Sequence, residues 1–242
     1  MDADLVSIPA RFNGPPASGN GGYSCGVLGS IIGDCAEVTL RKPPPLDTEM
    51  RVTRDDGEWT LFDGHSIVAT GHASTLDLEI PEPPSYARAE AAEADYLGHV
   101  GHIFPTCFVC GPDRSHGDGL RLFTGKVGER DIVASHWLPT PDVAGEFGEV
   151  AARVVWGALD CPTYFGGVTA GYAEHAVLGR LTAKIVAAIV VGKPHVVIGW
   201  PLEDDEKRWH GGSAIFTAGG ELCAFARGTW VQIGRTFPGV SI

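Results

Sequence analysis

One acidic side chain lies within an otherwise apolar stretch in the second half of the sequence. Asp160 is the only side chain charged at neutral pH between Arg153 and Glu174. Burying a carboxylate is costly unless it is hydrogen-bonded or its pKa changes. Asp160 is therefore a candidate general base or nucleophile. The alternative is a helix N-cap, because Asp is a preferred cap and Pro162 is tolerated in a first helical turn.

A second candidate site lies near the N-terminus, in the run Asn20-Gly21-Gly22. Asn is a preferred N-cap, and glycines allow a ligand to approach the N–H groups that carry the partial positive charge of a helix start. Such donors can stabilise a developing oxyanion. The alternative is that Asn20 only caps the helix and that the glycines only permit close packing.

Histidine and cysteine side chains cluster in a third segment. His99, His102, Cys107 and Cys110 occur in the order H-x2-H-x4-C-x2-C, and these are ligand types of a tetrahedral zinc site. Four ligands within twelve residues leave little room for that geometry. We therefore predict that no metal ion binds at Cys107 and Cys110. The alternative is a zinc-organised interaction module.

An internal repeat indicates which elements position these residues. A proline break, an acidic turn and a strand tryptophan occur twice in the same order, with offsets of 149, 149 and 150 residues. The paired markers are Pro45 and Pro194, Asp55 and Asp204, and Trp59 and Trp209. Because three markers keep nearly constant offsets, we interpret the sequence as a tandem duplication.

In each repeat, a segment of helical length precedes the strands that share these markers. Residues 20–33 and 154–160 are apolar or small, and Gly22, Gly26 and Gly29 form a stripe without side chains along one helix face. Turn signals divide the residues after each helix into about four strands. The predicted class is α+β, with a short exposed helix over 87–97 between the repeats. We place the N-terminal repeat at 1–95, a linker at 96–103 and the C-terminal repeat at 104–242.

Composition excludes several classes of function. The chain has 242 residues and a formal net charge of −12. Such a charge gives no general attraction to nucleic acid or anionic membranes. The longest apolar run, 185–191, is far shorter than a membrane span. The first residues are acidic where a secretory signal would be basic, so we expect a cytoplasmic protein.

Four segments together resemble a known family. They are residues 20–23 (NGGY), 38–47 (VTLRKPPPLD), 107–112 (CFVCGP, followed by GLRL at 119–122) and 156–162 (WGALDCP). They are similar to hotdog-fold acyl-CoA thioesterases, and more narrowly to the double-hotdog arrangement of acyl-CoA thioesterase II and its actinobacterial relatives. The resemblance implies two tandem hotdog repeats that form one continuous antiparallel sheet around two central helices.

The resemblance also implies a site between the repeats. Asp160 matches the family's catalytic aspartate and would face the helix start at Gly21 and Gly22, where the thioester carbonyl binds. Thr182 lies where the family often has a hydroxyl that holds the water. A glutamine of the family's last strand has no clear counterpart, because Gly228 occupies its position and Gln232 comes four residues later.

Five further residues are expected to contact the substrate. Tyr23, Trp156 and Cys161 lie in the matching segments, and Arg41 and Lys42 are the nearest bases for the phosphates of CoA. The sequence thus predicts hydrolysis of an acyl-CoA thioester without a cofactor, by a monomer or a homodimer of double hotdogs. The alternative is a non-catalytic acyl-CoA-binding hotdog protein.

Overall fold

The chain forms one eleven-stranded antiparallel sheet in a computed structural model that describes residues 4–205, 208–233, 236–237 and 240–241. The strands of this sheet are β1 (Asp4–Val6), β2 (Cys35–Leu40), β3 (Met50–Asp55), β4 (Glu58–Asp63), β5 (Ser66–Ala73), β6 (Gly125–Lys126), β7 (Val133–Trp137), β8 (Ala176–Ile185), β9 (His195–Asp205), β10 (Arg208–Thr217) and β11 (Leu222–Gln232). Two short strands, β12 (Thr236–Phe237) and β13 (Val240–Ser241), pair separately.

The order of the strands confirms the duplication. It runs β1-β3-β4-β5-β2-β8-β11-β10-β9-β7-β6, so the first five strands have the same arrangement as β7 to β11. Trp59 and Trp209 are each the second residue of equivalent strands, β4 and β10. Four strands follow each long helix, as predicted. The strands that precede the long helices, β1, β6 and β7, were not predicted.

The two halves join through β2 and β8. Val38 pairs with Leu181 at this junction, and both side chains are fully buried. Continuous hydrogen bonding across the junction confirms the predicted single sheet. The limits proposed for the two repeats remain a prediction.

Two long helices lie against one face of the sheet. The helix α1 (Gly21–Ile32) begins where predicted, and Asn20 caps it because its Oδ1 accepts a 2.9 Å hydrogen bond from the N–H of Tyr23. Its glycine stripe packs on the third helix, α3 (Ala152–Thr169). A Cβ atom at Gly29 would lie 2.3 Å from the ring of Trp156. The glycines therefore permit the close approach of the two helices.

The helix α3 is longer than the predicted segment and corrects one interpretation of Asp160. It continues through Pro162, so Asp160 lies in its interior and is not an N-cap. Proline lacks the N–H that would continue the helical ladder. Two carbonyls near this proline accept hydrogen bonds from hydroxyls: Thr163 Oγ1 donates to Asp160 O at 2.7 Å, and Ser213 Oγ donates to Leu159 O at 2.6 Å.

The predicted exposed helix is shorter than expected and is partly buried. The helix α2 (Tyr86–Ala92) packs on β7 and β9, and both Ala89 and Ala92 are buried. They belong to a second core with Ile198, on the sheet face opposite the long helices. No helix in the described parts of the chain is long and apolar enough to cross a membrane.

Candidate active site

The middle of α3 meets the first turn of α1 at a buried carboxylate. Asp160 Oδ2 accepts a 2.8 Å hydrogen bond from the N–H of Gly22 and a 3.0 Å hydrogen bond from Asn20 Nδ2. Only 2% of Asp160 is exposed. Its second oxygen, Oδ1, is buried and has no hydrogen-bond partner among the described residues. A buried polar atom without a partner indicates a place for a water or a ligand group.

Glycine is required where the two helices touch. A Cβ atom at Gly22 would lie 2.4 Å from Asp160 Cβ and 2.5 Å from the carbonyl oxygen of Trp156. Real Cβ atoms essentially never approach other atoms that closely. The absence of a side chain therefore lets the N–H of Gly22 reach the carboxylate.

Burial raises the pKa of Asp160 to about 7. Desolvation is the largest cause, because it disfavours the charged carboxylate. The hydrogen bond from Gly22 opposes this shift, the neighbouring Cys107 adds to it, and the hydrogen bond from Asn20 opposes it more weakly. A carboxyl group with a pKa near neutrality can both accept and return a proton.

A cavity of about 290 Å³ opens beside Asp160. Six of the predicted site residues line it: Asn20, Gly21, Arg41, Lys42, Asp160 and Cys161. Its apolar wall includes Tyr164, Phe165, Leu178 and Trp230. The structure therefore brings the start of α1, the middle of α3 and the loop after β2 together around one space.

The two basic residues differ in their contacts. Lys42 Nζ lies 2.9 Å from Asp63 Oδ2, so its charge is already paired. Arg41 Nη2 donates to the hydroxyl of Thr70 at 3.3 Å.

Four predicted site residues are not among the described residues that line the cavity. The N–H of Gly22 donates a hydrogen bond to Asp160 Oδ2. Tyr23 stacks on Phe12 with ring centroids 4.1 Å apart, and Trp156 packs against the glycines of α1. Thr182 Oγ1 donates to Glu37 Oε2 at 3.1 Å, at the junction of β2 and β8. The structure does not bring these four residues into the lining of the cavity.

The position of the missing glutamine has no room for a side chain. A Cβ atom at Gly228 would lie 2.5 Å from Thr163 Oγ1 and 3.0 Å from Trp230 Nε1. Those two atoms form a 2.8 Å hydrogen bond with each other. Gln232 is the last residue of β11, where it pairs with Ala176.

One feature of the site was missed by sequence reasoning. Cys161, from α3, lies against Cys107 and Cys110, and the three sulfur atoms are within 4.8 Å of one another. The C-x2-C spacing identified the pair, but no local pattern connects it to a cysteine in a distant helix. Hydrogen bonds from the thiols of Cys110 and Cys161 are the largest causes that hold the pKa of Cys107 well below its usual value.

No protein-family model and no curated protein matches the chain. Solved structures match it over nearly its whole length. A protein described as a thioesterase II from Thermobifida fusca YX has a TM-score of 0.61 and 14% identity, covering 96% of this chain and 92% of that one. The tesB protein MAP1729c from Mycobacterium avium subs paratuberculosis has a TM-score of 0.59 and 11% identity, covering 95% and 92%.

A third structure, described as a thioesterase from Novosphingobium aromaticivorans DSM 12444, has a TM-score of 0.53 and 10% identity, covering 95% of each chain. At identities this low, the matches show the fold and not the activity. The predicted architecture is confirmed by these matches and by the single antiparallel sheet with its two long helices. The chain therefore has the double-hotdog fold of the thioesterase II structures.

Proposed function

We propose that the chain hydrolyses an acyl-CoA thioester, with Asp160 as the general base. The observation that carries the proposal is the unpartnered Oδ1 of Asp160, on a carboxylate that lines the cavity. The second oxygen is held by Gly22 and Asn20, which fix the orientation of the carboxylate. Oδ1 is then left to accept a hydrogen bond from the attacking water.

In the proposed reaction, Asp160 carries one proton from the attacking water to the leaving thiolate. Asp160 takes a proton from the water as its oxygen attacks the thioester carbonyl, and the carbonyl oxygen becomes negatively charged. When the tetrahedral intermediate collapses, the carbon–sulfur bond breaks and Asp160 returns the proton to the leaving thiolate. The products are a carboxylic acid and CoA. A pKa of about 7 suits both steps.

The donor for the oxyanion is assigned to Gly21 within this proposal. In the first turn of α1, the N–H of Gly22 binds Asp160 and that of Tyr23 binds Asn20 Oδ1. The N–H of Gly21 has no acceptor among the described residues, and Gly21 lines the cavity. The positive end of the helix dipole adds to its effect on a developing anion. Gly22 thus acts as a positioning residue for Asp160.

The cavity wall supports an apolar acyl group as the part of the substrate next to Asp160. Leu178, Phe165 and Trp230 offer apolar surface, and burying such surface contributes about 25 cal/mol per Å². Arg41, whose guanidinium contacts only the hydroxyl of Thr70 among the described side-chain partners, is the better candidate for a CoA phosphate than the paired Lys42. In this proposal, the acyl group lies against the apolar wall of the cavity and the CoA phosphates lie beside Arg41.

A second candidate function is acyl-CoA binding without hydrolysis. The specific observation in its favour is Gly228, where the packing of Thr163 and Trp230 leaves no room for the glutamine that the family resemblance implies.

The two functions are separated by measuring CoA release, by chromatography, from a panel of acyl-CoAs of different chain length. We expect turnover by the native protein and a loss of about a hundredfold or more in Asp160→Asn, because the amide keeps the shape but cannot accept the proton. Asp56→Asn, in the exposed turn between β3 and β4, is the matched control and should retain full turnover.

Circular dichroism should show that both variants keep the native fold. Turnover that survives in Asp160→Asn contradicts the mechanism. Calorimetric binding of an acyl-CoA with no release of CoA by the native protein supports the binding function instead.

A further inference from the structure

Three buried thiols converge on the wall of the cavity. The Sγ atoms of Cys110 and Cys161 lie 3.1 Å apart, and those of Cys107 and Cys161 lie 3.9 Å apart. All three cysteines are free thiols and all three line the cavity. Two come from the loop before β6 and one comes from α3. The cluster is therefore a tertiary feature that depends on the packing of the helix against this loop.

The spacing of the sulfur atoms fits a tetrahedral ion. Zinc–sulfur bonds are about 2.3 Å long, which places the sulfur atoms of a tetrahedral site about 3.8 Å apart. The observed separations of 3.1 and 3.9 Å lie on either side of that value, and no pair exceeds 4.8 Å. Side-chain rotations that lengthen the separation of Cys110 and Cys161 by about 0.7 Å would bring that pair to the tetrahedral value.

Two of the cysteines lie in a tight turn of the loop before β6. The backbone of Val109 and Cys110 adds smaller contributions to the two thiol hydrogen bonds that lower the pKa of Cys107. The N–H of Gly111 closes the turn onto the carbonyl of Cys107 at 2.9 Å. A Cβ atom at Gly111 would lie 2.5 Å from both Cys107 N and Pro105 O, so the turn requires glycine. Backbone donors aimed at a sulfur stabilise a thiolate.

Two side chains supply further donors. Asn20 Nδ2 lies 3.7 Å from Cys107 Sγ. His102 Nδ1 accepts a 2.9 Å hydrogen bond from the N–H of Phe104, so Nε2 carries the proton and donates to Cys110 Sγ at 3.3 Å. His102 is thus a donor to the cluster and is outside the ligand set. Groups of this kind orient metal ligands and are typical of the layer around a metal site.

We propose that Cys107, Cys110 and Cys161 bind one Zn²⁺ ion as thiolates. Three thiols and one Zn²⁺ give a tris-thiolate site with a net charge of −1 and release three protons. The fourth tetrahedral position is left for a ligand from the cavity. The expectation of no metal rested in part on crowding among ligands of residues 99–110, and Cys161 removes that crowding because it enters from α3.

The inference is independent of the proposed hydrolysis, and its test uses metal content and not activity. Elemental analysis of the full-length protein, purified under reducing conditions without chelator, should find one zinc per chain. Cys107→Ser, Cys110→Ser and Cys161→Ser should each reduce it at least tenfold. Cys223→Ser removes a buried thiol outside the cluster and should retain one zinc.

Cobalt provides a readout that does not depend on the folding of variants. Native protein stripped with a chelator should bind one Co²⁺ per chain and develop a near-ultraviolet thiolate-to-cobalt absorption band together with the visible bands of a tetrahedral site. Zinc should displace the cobalt.

Two results would overturn the proposal. One is a native protein that holds no zinc as purified and binds neither Zn²⁺ nor Co²⁺ after reduction. The other is a zinc content that the three serine substitutions leave unchanged.

Discussion

The contact between α1 and α3 can be tested by adding one methyl group at Gly22. The Cβ atom of alanine would lie 2.4 Å from Asp160 Cβ, whereas ordinary contacts begin at 3.4 Å, so the helices must separate by about 1 Å at this point. Overpacking of this kind costs about 1–3 kcal/mol. A shift of about 1 Å in a reacting group also costs about a hundredfold in rate. We therefore expect Gly22→Ala to lower both stability and hydrolysis.

A matched control lies in the same helix pair. Gly157 is in the middle of α3, and the nearest atoms to its added Cβ are 3.6 Å away, which is ordinary van der Waals contact. Because alanine favours a helix interior by about 1 kcal/mol over glycine, Gly157→Ala should be neutral or stabilising.

Chemical denaturation of both variants measures the free energies of unfolding, and CoA release measures their activities. A Gly22→Ala variant as stable as the native protein, or a Gly157→Ala variant that loses as much stability as Gly22→Ala, would contradict overpacking at Gly22.

Three further substitutions test other parts of the structure. Trp230→Phe removes the hydrogen bond to Thr163 and part of a buried ring, and should reduce the free energy of unfolding by about 1–3 kcal/mol in urea titrations. Thr182→Val should leave kcat and KM for acyl-CoA within about twofold, because its hydroxyl contacts Glu37 outside the cavity; a loss of about a hundredfold would contradict this placement. Burial lowers the pKa of His195, so the stability that its neutral form contributes is complete above about pH 6.5 and is lost as the pH falls. Between pH 7 and 5, His195→Gln should therefore lose less free energy of unfolding than the native protein. Equal losses would contradict the lowered pKa of His195.

The parts of the fold that were predicted are those with a local or repeating signal. The markers at Trp59 and Trp209 revealed the duplication because both occupy the same position in equivalent strands. Asn20 marked the start of α1 because an N-cap is a short-range interaction. The strands before the helices were missed, since β1 has only three residues and carries no alternating pattern long enough to detect.

The site was predicted only as far as single residues allow. Asp160 stood out as a lone charge in an apolar segment, but its position inside α3 depended on a helix that continues through Pro162. Tertiary packing determined the rest. Nothing in the sequence distinguished the N–H of Gly22, which binds the carboxylate, from that of Gly21, which does not. The approach of Cys161 to Cys107 likewise depends on how the helix and the loop pack.

The junction of β2 and β8 has a consequence for how the chain can be divided. The outermost strands, β1 and β6, have three and two residues and offer few free backbone groups to another chain. Separating the halves would instead remove the pairing of residues 180–184 with β2 and leave β8, a strand of ten residues, at an edge of the sheet. Long exposed edges recruit other strands. The C-terminal half expressed alone is therefore expected to form a homodimer through β8. In that dimer, β8 of a second copy would take the place that β2 of the N-terminal half has in the intact chain.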